Sequence, residues 1–222
     1  MTKIAASIRP RSYEQGEDLL LSAQIAGAQM IELWCDRLDL DTAKKLVIVS
    51  ELPVIVNLKD ESEKGEFEGT IYDRIKYLED LVKEGAAYLD LPYSKELESI
   101  DLSRLAQNLI VSYHDFEATP SLDEIETIIN RMQSVNPAVI KLAFQVEQSI
   151  DLNNLLKLQI NRKDLWGRSI ILGMGHKGMI TRLMSKTFQH PFTFACIDKY
   201  SKTAPGQMTI SQLRKLWRRF GF

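Results

Sequence analysis

Residues 109–143 read LIVSYHDFEATPSLDEIETIINRMQSVNPAVIKLA, and this stretch alternates two kinds of apolar pattern. Leu109–Tyr113 and Val139–Ala143 are short runs of mostly branched apolar residues, which is typical of parallel strands covered on both faces. Between them, Ser121 and Glu124 have the spacing of a capping box, and apolar residues then recur at helical intervals. The stretch therefore predicts a strand–helix–strand unit.

The same rhythm continues in both directions along the chain, with capping-box spacing also at Ser12 and Gln15 and at Thr209 and Gln212. The predicted strands are Lys3–Ile8, Met30–Cys35, Val54–Leu58, Tyr88–Leu91, Leu109–Tyr113, Val139–Ala143, Ser169–Leu172 and Phe192–Ile197. Eight strands alternating with helices in 222 residues predict an α/β fold, a (β/α)8 barrel that forms a single domain over residues 1–222. An open doubly wound sheet is the weaker alternative, because the turn after the first strand contains no glycine.

The composition is that of an ordinary globular protein, with 45% hydrophobic and 26% charged residues and a net charge of −2. Acidic and basic residues are interspersed, which argues against a nucleic-acid partner. A basic run does occur at Arg214, Lys215, Arg218 and Arg219, and we interpret it as the solvated end of a last helix.

Cys35 and Cys196 lie in apolar runs and are interpreted as reduced core thiols. The N-terminal residues reach charged positions quickly, and no apolar stretch is long enough for a signal peptide or a membrane span. We therefore expect a cytoplasmic protein without a membrane partner.

In a barrel the active site is built at the C-terminal ends of the strands, and Lys141 is the most prominent polar residue predicted there. Burial of its ammonium is expected to lower its pKa and to make a neutral amine available as a nucleophile. The alternative is a lysine at a strand end that extends to water. His114, which follows the preceding strand, is suited to proton transfer near neutral pH.

Three other features carry less specific signals. Gly173–Gly178 could expose backbone N–H groups to an anion, with Arg182 as a clamp, or could form a tight turn. His176 is placed in a turn before a helix and His190 outside any strand, and both are interpreted as structural. No spacing of histidines or cysteines indicates a metal site.

Taken together, these motifs resemble the type I 3-dehydroquinate dehydratases, and the resemblance covers nearly the whole chain. The motifs are IELWCD with Glu32, Glu63 after the third strand, SYHDF, VIKLAF, MGHKGMITR and TAPGQ at 203–207. The resemblance implies a Schiff base between Lys141 and 3-dehydroquinate that needs no cofactor or metal. It also implies that His114 moves the protons and Glu63 orients His114, and that the protein is a homodimer.

The resemblance further assigns Glu32, Lys59, Arg182, Thr203 and Gln207 to substrate binding, the last two on a lid loop. Four positions depart from the family pattern, because Trp34 and Lys59 stand where arginine is usual, and Thr181 and Thr203 where serine is. Lys59 keeps the charge and loses the bidentate fork. Trp34 loses both charge and donors, unless Arg37 reaches into the site.

Two other functions remain open. A class I aldolase-type enzyme on the same barrel would also need a buried strand lysine, and the glycine turn at 173–178 would suit a sugar phosphate. A non-catalytic metabolite-binding barrel is the third possibility, and Trp34 and Lys59 favour it. Retention of the lysine, the histidine and the candidate acids together argues against it.

Overall fold

The computed structural model describes residues 2–222 and contains eight parallel strands around a central axis. The strands are β1 (Lys3–Ile8), β2 (Met30–Trp34), β3 (Val54–Asn57), β4 (Tyr88–Pro92), β5 (Leu109–Asp115), β6 (Val139–Gln145), β7 (Ser169–Met174) and β8 (Phe192–Ala195). Their hydrogen-bonded order is β7-β6-β5-β4-β3-β2-β1-β8, so the barrel is closed except between β7 and β8. The prediction of a (β/α)8 barrel is confirmed.

In residues 2–222, seven α-helices cover the barrel. They are α1 (Tyr13–Ala26), α2 (Leu40–Val49), α3 (Ile71–Lys83), α4 (Leu122–Ser134), α5 (Ser149–Asn161), α6 (Gly175–Leu183) and α7 (Ile210–Arg219). Between β4 and β5, two 3-10 helices, Lys95–Ser99 and Ser103–Leu105, replace an α-helix. None of the helices in residues 2–222 combines the length and the apolar character needed to cross a membrane.

Local signals placed the helix starts well. The predicted capping boxes at Ser121 and Thr209 form in full, and a further one with Asp73 as the third residue forms at Thr70. At Ser12 only one of the two hydrogen bonds of a capping box forms, in which the Ser12 hydroxyl accepts from the Gln15 N–H. The Gln15 side chain accepts from the Arg11 N–H and not from the Ser12 N–H. The basic run ends α7 as expected.

The interior of the barrel is filled by alternate residues of the strands. Its apolar layer includes Met30, Ile55, Ile110, Val139 and Phe192, which form one buried cluster. The opposite faces of the strands pack against the helices in a larger cluster that contains Cys35, a free thiol like the buried Cys196. Because side chains alternate along a strand, residues two positions beyond the interior layer also point into the barrel, nearer its C-terminal mouth.

Candidate active site

A cavity opens at the C-terminal end of the strands. All eight candidate residues from the sequence line it, namely Glu32, Lys59, Glu63, His114, Lys141, Arg182, Thr203 and Gln207. The two-residue periodicity explains the strand contributions, because Glu32 follows Met30 and Lys141 follows Val139 on the interior face. In the adjacent pair β5–β6, Ser112 lies beside Lys141, and His114 lies one interior position further towards the mouth.

Lys141 is buried and charged. Its Nζ donates to Asp90 Oδ2 at 2.8 Å and to Glu32 Oε1 at 3.3 Å, and it lies 4.3 Å from the centroid of the Phe194 ring. Burial by itself lowers the pKa of Lys141, but the attraction of Asp90 and Glu32 outweighs it, and the pKa is raised. The expectation of a lowered pKa and a neutral amine is therefore wrong.

Asp90 was missed from the sequence, although a single carboxylate inside the apolar run of β4 is an unusual residue there. It is buried on the same interior face as Tyr88, and its strand pairs with β5. Burial raises the pKa of Asp90, but the nearby Lys141, Lys59 and His114 lower it by more than burial raises it, so the net shift is downward. The neighbouring basic residues therefore favour the ionised form of Asp90 beneath the Lys141 nitrogen.

A second charged cluster surrounds Glu63, in the 3-10 helix Glu61–Glu63 after β3. Lys59 Nζ donates to Glu63 Oε1 at 2.7 Å, and His114 Nδ1 lies 3.2 Å from the same oxygen, although not aligned for a hydrogen bond. Burial raises the pKa of Glu63, but Lys59 and His114 outweigh it, so the pKa is lowered. Burial, and next the charge of Lys59, lower the pKa of His114, so the imidazole is neutral at pH 7.

The turn that carries Glu63 is held from outside by Arg74 of α3. The buried Arg74 guanidinium donates to Asp60 Oδ2 at 2.5 Å, and it lies 3.6 Å from Glu63 Oε2. Asp60 in turn caps the 3-10 helix by accepting from the Ser62 N–H at 3.0 Å. Glu63 Oε1 is thereby left facing Lys59 and His114.

A hydrogen-bond chain connects the loop after β8 to Lys141. The Thr203 N–H donates to Gln207 Oε1 at 3.0 Å, and Gln207 Nε2 donates to Ser7 Oγ at 3.1 Å. Ser7 Oγ donates to Glu32 Oε2 at 2.5 Å, and the other oxygen of Glu32 faces Lys141. Ser7 was also missed from the sequence, because serine gives no chemical signal of its own.

Arg182 is buried in the wall formed by α6. One of its N–H groups donates to the Gly173 carbonyl at 2.6 Å, and burial lowers the pKa of Arg182 to about 10. Gly178 packs directly on Gly173, where a Cβ on either residue would come within 2.8 Å of the other's Cα. These glycines therefore let α6 approach β7 closely, which favours the tight-turn interpretation of the segment over a phosphate cradle.

Trp34 and Thr181, which depart from the family pattern, both have defined contacts. Trp34 is buried in the cavity wall, with the Arg9 guanidinium 5.2 Å and Lys59 Nζ 5.4 Å from its ring centroid. Arg37 does not reach into the site, because its guanidinium pairs with Glu66. Thr181 keeps its hydroxyl in use, accepting from the Gly173 N–H.

The other two histidines have no part in the cavity. His190 is buried, its Nε2 lies 2.7 Å from Gln159 Oε1, and burial lowers its pKa to about 3, so it is a neutral core histidine as interpreted. His176 lies in the first turn of α6 and is exposed, so its placement before the helix was wrong by one turn. Among residues 2–222, no group of three or more His, Cys, Asp or Glu is arranged to hold a metal ion.

Comparisons with known proteins agree with one another. A family model described as Type I 3-dehydroquinase matches residues 4–221. The 3-dehydroquinate dehydratase of Desulfotalea psychrophila is 31% identical over 223 residues, with 98% of each chain covered.

Solved structures support the same fold. The 3-dehydroquinate dehydratase from Geobacillus kaustophilus superposes with a TM-score of 0.87 at 19% identity, covering 100% of this chain and 91% of that one. The enzyme from Aquifex aeolicus superposes with a TM-score of 0.81 at 23% identity, covering 99% of both chains. The likeness to both extends over the whole barrel, including the segments that line the cavity.

Proposed function

The chain belongs to the type I 3-dehydroquinase family, and we propose that it dehydrates 3-dehydroquinate to 3-dehydroshikimate through an imine on Lys141. Membership of the family supports dehydration in the shikimate pathway. The observation that carries the finer proposal is the position of the buried Lys141 amine, beside two carboxylates in one cavity with His114. A lysine that merely extended to water would not be 4% exposed.

The first step is formation of the imine. The Lys141 ammonium gives one proton to a carboxylate partner, and Nζ attacks the C3 ketone to form a carbinolamine. The carboxyl group then returns that proton to the former ketone oxygen, which leaves as water, so the carboxylate is again an anion when the iminium forms. The nitrogen of the resulting iminium is again a cation, so Asp90 and Glu32 stabilise it as they stabilise the ammonium. The same carboxylates that disfavour the free amine therefore favour the electron sink on which the elimination depends.

The second step is elimination of water. His114, neutral because burial and Lys59 lower its pKa, takes a proton from C2. The electron pair flows into the iminium, the C1–O bond breaks, and the departing hydroxyl receives the proton from His114. Glu63 holds the imidazole and stabilises its protonated form. Water then hydrolyses the imine, which releases the product and restores Lys141.

The remaining candidate residues bind the substrate. Arg182 has no carboxylate partner in the described part of the chain, so it is suited to hold the substrate carboxylate. Glu32 accepts hydrogen bonds from ring hydroxyls, and Lys59 donates to them. Thr203 and Gln207 lie on a lid loop, whose hydrogen bonds through Ser7 to Glu32 couple its closure to the reacting amine.

Three further predictions accompany this function. We propose that residues 1–222 act as one catalytic domain, that the protein works in the cytoplasm, and that it forms a homodimer. Sedimentation equilibrium measures the assembly directly, and a mass of one chain at micromolar concentration would contradict the dimer.

The deciding experiment is borohydride reduction with and without 3-dehydroquinate, followed by peptide mass mapping. We expect a ligand-dependent adduct on Lys141 in the wild type and in the His114→Ala variant. The Lys141→Ala variant should form no adduct. An adduct that forms with sugar phosphates and not with 3-dehydroquinate would favour an aldolase. Failure of both ligands to form an adduct would favour a non-catalytic barrel.

A further inference from the structure

Four cations line the cavity, and they fall into two classes. Lys59 and Lys141 each have a carboxylate partner, at 2.7 Å and 2.8 Å respectively. Arg182 and Lys64 form no ion pair within residues 2–222, although both line the same cavity. Two cations without counter-ions in one concave space leave a positive potential for an anionic ligand, and the substrate carboxylate satisfies one of them.

The backbones of these two residues belong to opposite walls. Lys64 follows β3 and Arg182 follows β7. In the order of the eight strands, β3 and β7 are four positions apart, which is the diameter of the barrel. A ring whose carboxylate is bound at Arg182 would therefore extend towards the wall from which Lys64 projects.

Lys64 is not an ordinary surface lysine. Its backbone is in the left-handed region, with φ of 65°, a conformation that glycine adopts without strain and lysine does not. The turn is firmly held, because the Lys64 N–H donates to the Glu61 carbonyl at 3.0 Å and the Gly65 N–H to the Asp60 carbonyl at 2.7 Å. The left-handed backbone thus fixes the direction in which the Lys64 side chain leaves the turn next to Glu63.

The Lys64 side chain extends towards Phe116. Its Nζ lies 4.2 Å from the centroid of the Phe116 ring, and Phe116 stacks on the His114 imidazole at 5.8 Å and 10°. The exposed Lys64 ammonium therefore contacts the ring that stacks on His114, at the lining of the cavity. Lys64 also lines an adjoining surface cavity together with Trp34 and Thr203, so it borders the approach from solvent.

We propose that Lys64 is a substrate-binding residue, which attracts the anionic substrate to the mouth and contacts it on the wall opposite Arg182. The inference rests on the proposed function, because it assumes an anionic substrate in this cavity. The attraction acts before and during binding and involves no reacting atom. It therefore affects KM and the rate of association, and it weakens as salt screens the charge.

The test compares Lys64→Met, Lys64→Arg and the wild type in steady-state turnover of 3-dehydroquinate at low and high ionic strength. We expect Lys64→Met to raise KM about fivefold at low salt with kcat within twofold, and the difference to shrink at high salt. Lys64→Arg, which keeps the charge, should restore most of the KM. Lys157→Met, which removes an exposed lysine on α5, is the matched control.

Lys64→Gly separates the charge from the backbone strain. Glycine adopts the left-handed conformation without strain, so the thermal midpoint of the Lys64→Gly variant should equal or exceed that of the wild type. The KM of this variant should rise as in Lys64→Met. Equal KM in the wild type and Lys64→Met at low salt would overturn the inference. So would a lowered midpoint in Lys64→Gly accompanied by a loss of kcat. An inactive wild type would instead contradict the proposed function itself.

Discussion

Two buried charged clusters meet in the cavity, and they are electrostatic opposites. Around Lys141 one cation lies between two carboxylates, Asp90 and Glu32, whereas Glu63 is one carboxylate that faces two basic residues, Lys59 and His114. Burial disfavours the charge in both clusters, and the partners outweigh burial in both. The number and sign of the partners, and not burial alone, therefore decide the charge of a buried group.

The opposite arrangements suit opposite tasks. The carboxylates around Lys141 favour a nitrogen that carries positive charge, as the proposed iminium requires. The cationic neighbour of Glu63 keeps its carboxylate ionised, and the same Lys59 charge helps to keep His114 neutral as a base. The following variants test this division of labour, beginning with the largest expected effect.

Lys141→Ala should reduce turnover below detection, because the nucleophile is lost and neither cluster can replace it. It should also lower the urea midpoint, because Asp90 and Glu32 lose their cation while remaining buried. Turnover assays and far-UV circular dichroism measure the two effects, with Lys157→Ala as the control. Wild-type turnover in Lys141→Ala would refute the Schiff base.

His114→Ala should slow kcat by about 10²- to 10⁴-fold, the range of general acid–base catalysis, while imine formation persists. Reductive trapping measures the imine separately from product formation. If the yield of trapped imine and the rate of turnover fell together, His114 would be acting on imine formation. That result would contradict the assignment of different steps to the two clusters.

Glu63→Gln should lower kcat by roughly 10- to 100-fold, since the imidazolium loses its counter-charge and its orientation. KM should change little, because Glu63 holds His114 and its Oε1 is occupied by Lys59. Steady-state kinetics measure the split. A rise in KM with unchanged kcat would make Glu63 a substrate ligand instead.

Asp90→Asn should act on the other cluster and lower the pKa of Lys141, because Glu32 remains as its only carboxylate. The pH dependence of reductive trapping should therefore move to lower pH, while turnover at pH 7 falls by about tenfold, or 1.4 kcal/mol of activation free energy, as the iminium loses stabilisation. An unchanged trapping profile would mean that Asp90 does not govern the Lys141 proton.

The smallest effect concerns the pH dependence of stability. Because folding lowers the pKa of His114, this residue stabilises the folded state above its unfolded pKa of about 6.5, and that stabilisation is lost as the pH falls. The lowered pKa of Glu63 has the same effect, and its stabilisation is lost as the pH falls below about 4.5. Lys141, whose pKa is raised, loses its contribution only at alkaline pH. Urea midpoints of the wild type should therefore fall between pH 7 and 5 more than those of His114→Asn. Identical slopes would contradict a neutral His114.

Much of the fold could be predicted because its signals are local. Continuous apolar runs identified all eight strands within two residues at each end, and capping residues identified helix starts at Ser121 and Thr209. The replacement of a helix by 3-10 turns between β4 and β5 was not predicted, since Lys95–Ser99 and Ser103–Leu105 are too short to give a periodic pattern.

The candidate site was assembled from the sequence for a related reason. In a barrel, strand ends converge whatever their order along the chain, so polar residues there, such as Lys141 and His114, could be assigned to one cavity. The segment Thr203–Gln207 was a candidate for the same reason, and resemblance to a family then assigned its role and supplied Glu63, whose loop carries no periodic signal. Asp90 and Ser7 escaped both approaches, although their strands had been identified.

Which residues point into the barrel follows from the sequence alone, because the alternation of side chains along a strand is a property of neighbouring residues. Their charge states depend on the tertiary structure. The partners of Lys141 lie 51 and 109 residues away, at Asp90 and Glu32, and their approach reverses the pKa shift that burial alone predicts. Coulomb interactions depend on distance in space and not on position in the chain, so this balance becomes visible only when the strands are brought together.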